Sequence, residues 1–198
     1  GRMTYLHDTA NCWVNLEMDG SAVVRSGIPD LGGGQRESLR AIVAEVLGLK
    51  VEEVHVISTD SQVTPLAGTV TATRALYMSG NAAKLAAEQV RQIIVDKASR
   101  ALGVPSETLV LRDKAVLSSM DPKKSMPLTE AIKQCHFDGV IPHSLATFKA
   151  PFTEPITSDV IKDPVFPDFT FGAQAAEVAV DVETGEVSVL KWASAYDV

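Results

Sequence analysis

The sequence predicts an α+β fold with mixed sheets, hairpins and two long helices that pack on one side of the sheet. Two hairpin signals indicate the strands, because apolar and polar residues alternate on both sides of Asp19-Gly20 and again around Thr184-Gly185. Two amphipathic stretches indicate the helices, since their apolar residues recur at three- and four-residue spacing. The hairpins and helices together favour a mixed sheet over strictly alternating parallel units.

The first half of the chain supplies a hairpin, a glycine-rich loop and a helix. The hairpin strands are expected over 13–18 and 22–26. Asp30-Leu31-Gly32-Gly33-Gly34, called the glycine loop below, leads directly into a helix that ends at Gly48. The buried stripe of this helix follows from its spacing: Leu39, Ile42, Val43, Val46 and Leu47. A further strand is expected over 53–59.

The second half begins with a long helix over 76–102, and one face of it carries Ala86, Val90, Ile94, Ala98 and Ala101. Two short strands over 109–111 and 115–117 and two helical turns over 128–134 follow. The stretch 139–167 holds five of the ten prolines. It is interpreted as a long surface crossing, or as a segment that needs a partner to fix its shape. This stretch and the glycine loop are expected to be the most mobile segments, unless self-association holds them. The surface expected to associate is formed by the apolar residues of the stretch: Val140, Ile141, Phe152, Ile156, Val165 and Phe166.

Composition narrows the classes of function. The chain has 198 residues and a net charge of −7, and its 18 Lys and Arg are scattered, which argues against nucleic acid or an anionic membrane as partner. No apolar run is long enough to span a bilayer, and a cytoplasmic location is expected. Cys12 and Cys135 lie far apart without a CxxC pattern, so they are interpreted as core residues rather than as zinc ligands or a disulfide.

The glycine loop is the first candidate binding site. Three consecutive glycines let another molecule approach the main chain, and a helix start presents N–H donors at the positive end of its dipole. Gly32, Gly33 and Gly34 could therefore bind a phosphate or another anion. The alternative is a tight strand-to-helix turn with no ligand.

Three segments in the right order resemble one enzyme family. The glycine loop followed by Ile42 to Gly48 is similar to D-M-G-Q-G followed by Q-I-A-A-E-x-L-G in the molybdenum-binding subunit of the xanthine dehydrogenase and aldehyde oxidase family. Gly68 to Arg74 resembles the G-T-x-A-S-R segment of that family. Phe171-Gly172-Ala173 and Glu177 to Val187 resemble its F-G-A and E-V-x-V-D-x-x-T-G-x-V segments. The whole chain, 1–198, is then expected to be part of a molybdenum cofactor-binding domain, with room for a sub-boundary near 103–125.

The resemblance implies that these loops bind the molybdenum cofactor, as molybdopterin or its cytosine dinucleotide. The residues expected to contact it are Gly32, Gly33, Gly34, Val70, Thr71, Ala72, Thr73, Arg74 and Ala75. Backbone amides and the two threonine hydroxyls can donate to the anionic ligand, while Arg74 could pair with an anion or brace its loop. The alternative for Arg74 and the threonines is a helix-capping loop on a polar surface.

The resemblance also implies a larger enzyme that hydroxylates a small molecule, either a purine-like heterocycle or an aldehyde. Its expected partners are the remainder of the molybdenum subunit and iron–sulfur and flavin (FAD) domains or subunits. No residue of this chain is a credible catalytic base or metal ligand, so the isolated fragment is expected to bind no cofactor and to be inactive. A noncatalytic α+β module that binds an anion or a protein partner is the alternative.

One departure from the family concerns Gly33, which stands where the family has a glutamine whose amide contacts the cofactor. Gln35 could supply an amide from two residues further on. From the start of a helix, however, its side chain is expected to point elsewhere.

Overall fold

The computed structural model describes residues 9–151 and 169–197. Its strands are β1 Thr9–Leu16, β2 Ala22–Ser26, β3 Val54–Ser58, β4 Leu109–Arg112, β5 Ala115–Ser118, β6 Ser125–Pro127, β7 His143–Lys149, β8 Phe171–Val180 and β9 Val187–Asp197. Its α-helices are α1 Gln35–Leu47, α2 Arg74–Leu102 and α3 Leu128–Phe137. Two short 3-10 helices, Val51–Glu53 and Ser106–Thr108, precede β3 and β4.

The chain divides into two compact units, which are described separately. The larger unit comprises residues 5–151, and the smaller comprises residues 152–198 together with 1–4. Residues 103–125, where the sequence left room for a sub-boundary, lie within the larger unit. Within the described ranges, none of the helices is long and apolar enough to cross a membrane.

The main sheet of the larger unit has the strand order β3-β2-β1-β7 and is mixed. β1 pairs antiparallel with both β2 and β7, and the first of these pairs is the predicted hairpin. β2 and β3 run parallel, with Ser26 opposite Ser58, because α1 carries the chain back along the sheet between them. The predicted α+β fold with a mixed sheet is therefore confirmed.

One face of this sheet forms the main core. Every second residue of the three neighbouring strands is buried on that face, as expected for a period of two: Cys12, Val14, Leu16, Ala22, Val24, Val54 and Val56. Helices α1 and α2 cover it, which confirms that the helices pack on one side. α2 contributes small residues that allow close packing on the strands: Ala82, Ala83, Ala86 and Ala87. Ala101, predicted on this stripe, is instead exposed at the last turn of the helix.

A three-stranded antiparallel sheet, β4-β5-β6, follows α2, and α3 comes directly after β6. α3 is longer than the two turns predicted. Its Cys135 is buried, and so is Cys12 on β1, which confirms both cysteines as core residues. Burial raises the pKa of the Cys12 thiol to about 12, so this group stays protonated at neutral pH.

The stretch 139–167, interpreted from the sequence as a long surface crossing or a segment that needs a partner, differs most from the structure, because part of it is a strand of the main sheet. Residues 143–149 form strand β7, and all seven of them pair with β1. In this strand only Ala146 is fully buried, so the sequence shows no alternation of large apolar residues. Val140 and Ile141 are exposed, whereas Phe152, Ile156, Val165 and Phe166 lie outside the described residues. The expected mobility of this stretch and of the glycine loop stays a prediction.

The described part of the smaller unit is the hairpin β8–β9, which confirms the hairpin predicted around Thr184-Gly185. A register irregularity occurs between Glu177 and Val178. The turn is closed by Asp181, whose carboxylate accepts hydrogen bonds from the backbone N–H groups of Glu183 and Thr184. Two strands alone are marginally stable in water, so this hairpin needs further surface to pack against.

Candidate functional site

The two predicted binding loops leave neighbouring strands at the same edge of the sheet. The glycine loop follows β2 and leads into α1, while residues 59–73 follow β3 and lead into α2. Because β2 and β3 are parallel, their carboxyl ends meet at one edge, which is where open α/β sheets bind ligands. A direct hydrogen bond from Gly27 N to Pro65 O (3.0 Å) ties the two connections there. A second, from Arg36 Nη2 to Val56 O (3.2 Å), ties the first turn of α1 to β3.

Asp30 fixes the shape of the glycine loop. Its Oδ1 accepts hydrogen bonds from the N–H groups of Gly32 (3.0 Å) and Gly34 (3.2 Å), and its Oδ2 accepts one from Arg36 N (3.2 Å). Two of the three glycine amides are thus already bound to a carboxylate of the chain itself. Among the described residues, the N–H groups of Gly33 and Gln35 have no such partner and are the donors left at the start of α1.

The same hydrogen bonds, from Arg36 N first and then from Gly32 N and Gly34 N, lower the pKa of the Asp30 carboxyl below its ordinary value of 3.8. The stabilisation by Asp30 is therefore present above pH 3.8 and is lost as the pH falls through the lower folded-state pKa. We expect Asp30→Asn to unfold at lower urea concentration than the wild type at neutral pH.

The difference in urea midpoint between Asp30→Asn and the wild type should narrow as the pH falls below 3.8, because the wild-type carboxyl then becomes neutral as well. Asp113→Asn is the control, since its contact with Arg112 is exposed on both sides. A difference between Asp30→Asn and the wild type that stays constant with pH would contradict this account.

Gln35 does not point away from the loop, so that expectation was wrong. Its carboxamide lies over Gly33, and a Cβ built on Gly33 would be 2.6 Å from Gln35 Nε2 and 3.1 Å from Oε1. Helical side chains lean toward the amino end of their helix, so a long side chain in the first turn folds back over the preceding loop. Gln35 Oε1 is buried and has no hydrogen-bond partner among the residues that the structure describes.

Arg74 braces the second loop. The residue is 3% exposed, and its Nη1 donates to the carbonyl oxygens of Ala67 (3.0 Å) and Thr69 (2.6 Å). Its Nη2 donates to Thr9 O (3.1 Å) at the start of β1. The guanidinium therefore ties residues 67–69 to the start of β1.

The remaining predicted residues differ in what they can present. Thr71, Ala72 and Thr73 are exposed, Val70 is half-buried against the core, and Ala75 is buried. Ala72 has a left-handed φ of 45°, uncommon for a residue with a side chain and often associated with functional loops. The start of α2 has neither a side-chain cap from Thr73 nor an acidic residue in its first turn. The amides and hydroxyls of 71–73 are thus the accessible donors of this loop.

The sequence indicates both loops, but it did not lead to the hydrogen bonds of Asp30 or to the position of the Gln35 carboxamide over Gly33. An Asp two residues before a glycine is a common turn signal, and it could have predicted the Asp30 contacts. Across residues 9–151 and 169–197, no cluster of three or more His, Cys, Asp or Glu side chains could hold a metal ion.

Comparison with known proteins places this geometry in a family. The family model described as "Molybdopterin cofactor-binding domain" matches residues 2–198. A probable hypoxanthine oxidase of Escherichia coli (strain K12) is 33% identical over 192 residues, covering 96% of this chain and 18% of that protein. The nicotine 6-hydroxylase large subunit of Paenarthrobacter nicotinovorans is 27% identical over 199 residues, covering 100% of this chain and 23% of that protein.

Solved structures with a similar fold also exist. CO dehydrogenase from Oligotropha carboxidovorans superposes with a TM-score of 0.71 at 17% identity, covering 94% of this chain and 22% of that one. The chain thus spans about a fifth of the length of the proteins that it matches. The family match over nearly its whole length shows that this chain belongs to the molybdopterin cofactor-binding domain family.

Proposed function

We propose that this chain forms part of the cradle for the molybdenum cofactor, as molybdopterin or its cytosine dinucleotide, in a larger molybdenum hydroxylase. The observation that carries the proposal is the meeting of two donor-bearing loops at one edge of the sheet, at the carboxyl ends of β2 and β3. The cofactor-contacting segments are the glycine loop and residues 70–75.

The residues at this edge fit an anionic ligand with a pterin ring. The N–H groups of Gly33 and Gln35 and the hydroxyls of Thr71 and Thr73 are donors without a partner among the described residues. The buried Gln35 Oε1 adds one unpaired acceptor. Donors and an acceptor on loops that follow the carboxyl ends of two neighbouring strands suit a ligand that carries both phosphate oxygens and ring N–H groups.

The other predicted residues support this arrangement. Gly32 and Gly34 shape the loop through Asp30, and Arg74 holds the second loop against the sheet. Val70, Ala72 and Ala75 contribute backbone rather than side-chain contacts in this proposal, since none of them carries a polar side-chain atom. When bound, the cofactor supplies the molybdenum centre at which the substrate is oxidised.

For the whole protein we propose oxidative hydroxylation of a nitrogen heterocycle or an aldehyde, with the catalytic base on another part of the subunit. The names of the relatives, a probable hypoxanthine oxidase and a nicotine 6-hydroxylase subunit, favour the heterocycle. Iron–sulfur and FAD domains or subunits would take up the electrons. A cytoplasmic location is part of the proposal, and the two free buried cysteines support it because cytosolic proteins keep their thiols reduced.

The proposal is tested on the full-length natural protein that contains these residues, produced in a host that makes the cofactor. We expect purified wild type to carry molybdenum and a pterin, measured by elemental analysis and by fluorescence of the released, oxidised pterin. The double variant Thr71→Val with Thr73→Val should retain several-fold less of both, because two donors to the ligand are lost.

Thr129→Val, a change on α3, is the matched control and should retain cofactor at the wild-type level. Wild-type protein that contains neither molybdenum nor pterin, from a host that loads other molybdenum enzymes, would reject the proposed function.

A further inference from the structure

We infer that the face of the main sheet opposite α1 and α2 is a docking surface, and that its occupant is an acidic segment with apolar side chains from the remainder of the same subunit, outside residues 1–198. The inference rests on the larger protein proposed above. It concerns a face of the sheet, whereas the proposed cofactor contacts lie on the two loops at its edge.

This surface, called the open face below, consists of every second residue of the four strands, all of them half-buried or exposed. Its residues are Thr9, Asn11, Trp13 and Asn15 on β1, Val23 and Arg25 on β2, His55 and Ile57 on β3, and His143, Leu145, Thr147 and Lys149 on β7. One row of cross-strand neighbours spans all four strands in the order Leu145, Trp13, Arg25, Ile57.

The first observation is the apolar character of this row. Leu145 is 62% exposed and Ile57 is 37% exposed, and the Trp13 ring lies between the positions of Leu145 and Arg25. A sheet face in contact with water normally carries polar side chains, and parallel strands such as β2 and β3 are usually covered on both faces. The open face therefore has the composition of a surface that another element covers.

The second observation is the way Arg25 is held in the middle of the row. Its Cζ lies 4.7 Å from the centroid of the Trp13 ring, and its Nη1 donates to Asn15 Oδ1 (2.9 Å). Arg25 makes no ion pair with any described residue, since Glu17, the acid that follows β1, accepts from Asn15 Nδ2 instead (2.6 Å).

A guanidinium fixed in this way is ready to bind a carboxylate with little further loss of entropy. Trp and Arg are also the residue types that contribute most to the energy of protein interfaces, above all where apolar contacts surround them. Trp13 and Arg25 are therefore assigned as the centre of the docking surface.

The charge of the open face indicates what binds there. The chain as a whole has a net charge of −7, yet these twelve positions hold Arg25 and Lys149 and neither Asp nor Glu. An acidic segment is complementary to them. A second copy in a twofold contact would place this patch against itself and bring its cations together. The chain spans about a fifth of the length of the proteins that it matches, so the remainder of the subunit can supply the segment.

The test measures whether the open face is covered in the full-length natural protein that contains these residues. Leu145→Cys places a thiol on the row, and its reaction with a maleimide is followed by mass spectrometry of the peptide that contains position 145. Lys84→Cys is the matched control, because Lys84 on α2 has a side chain that is 58% exposed. We expect the thiol at position 145 to react at least about tenfold more slowly than the thiol at position 84.

A charge reversal tests the role of Arg25. Arg25→Glu, added to Leu145→Cys, should speed the reaction at position 145 at least about tenfold, because two carboxylates would then face each other. Arg25→Lys keeps the charge and should speed it only about two- to threefold. Cys12 is buried on the opposite face of β1 and reports the integrity of the sheet, so it should stay unlabelled in every variant.

Reaction at position 145 as fast as at position 84 would overturn the inference, and so would a rate that Arg25→Glu leaves unchanged. Labelling of Cys12 in the Arg25→Glu variant would show that Arg25 supports the sheet itself, which also overturns it. Protection that is lost on dilution would assign the face to a second copy, and protection that is lost on removal of companion subunits would assign it to one of them; either result rejects the segment inferred here. Cofactor content does not enter these measurements, so wild-type protein without molybdenum or pterin would reject the proposed function while slow reaction at position 145 still supports the docking surface.

Discussion

Replacing Arg74 with alanine is expected to lower the free energy of unfolding by about 3–5 kcal/mol, because the change removes a buried charged donor from one buried and two partly buried hydrogen bonds. In the wild type the guanidinium donates hydrogen bonds to the carbonyl oxygens of Ala67 and Thr69 in the second loop and of Thr9 in β1. No other cation among the described residues donates to these three oxygens. Urea unfolding measures the loss, and hydrogen exchange should show faster exchange over residues 67–73.

Arg74→Lys should recover only part of this stability, because a compact ammonium cannot reach three acceptors in the planar arrangement of a guanidinium. Arg100→Ala is the control, since Arg100 lies exposed near the end of the same helix, and a surface change of this kind falls within about 0.5 kcal/mol. Equal stability of the Arg74 and Arg100 variants would show that Arg74 does not brace the loop.

Gly48→Ala is the second change with a large expected effect, again about 3–5 kcal/mol in the free energy of unfolding. Gly48 ends α1 with a left-handed φ of 65°, and a Cβ there would lie 2.4 Å from the backbone carbonyl carbon and oxygen of Leu111. Backbone atoms cannot swing aside as a side chain can. The end of α1 and strand β4 would have to separate, which also weakens the hydrogen bond from Lys114 N to Gly48 O.

The chain offers a closely matched control in Gly103, which ends α2 with a φ of 64°. A Cβ on Gly103 would meet no atom of the described residues within 4 Å, so Gly103→Ala should show only the conformational penalty of about 1–2 kcal/mol. The difference between the two variants in thermal or urea unfolding isolates the contact with Leu111. If both variants lose the same free energy of unfolding, the backbone near β4 accommodates the Cβ at position 48 at no cost.

Local patterns were enough to predict most of the larger unit. The hairpin β1–β2, the helices α1 and α2 and the end of α1 at Gly48 all follow from alternation, helical spacing and glycine. β7 was missed because its buried side relies on one small residue, Ala146, and the pairing with β1 supplies the rest. Such a strand is specified by its partner, about which its own sequence carries little information.

The two loops of the candidate site could be identified from the sequence, but the contacts within them could not. The resemblance of the two loops to one family identified them, and the parallel pair β2–β3 explains why they meet. The direction of Gln35 and the bonds of Asp30 depend on the path of the backbone through three glycines, which sequence alone does not determine. The bracing role of Arg74 likewise depends on carbonyl groups as distant in sequence as Thr9.

The carboxylate of Asp30 has a consequence for how a ligand is received. A loop of three glycines has much conformational entropy to lose, and a ligand that had to order it would bind weakly. Asp30 already holds this loop through three backbone N–H groups, so that loss is met when the chain folds rather than when the ligand arrives. The glycine loop is thereby preorganised, and less of its conformational entropy would be left for a ligand to offset on binding.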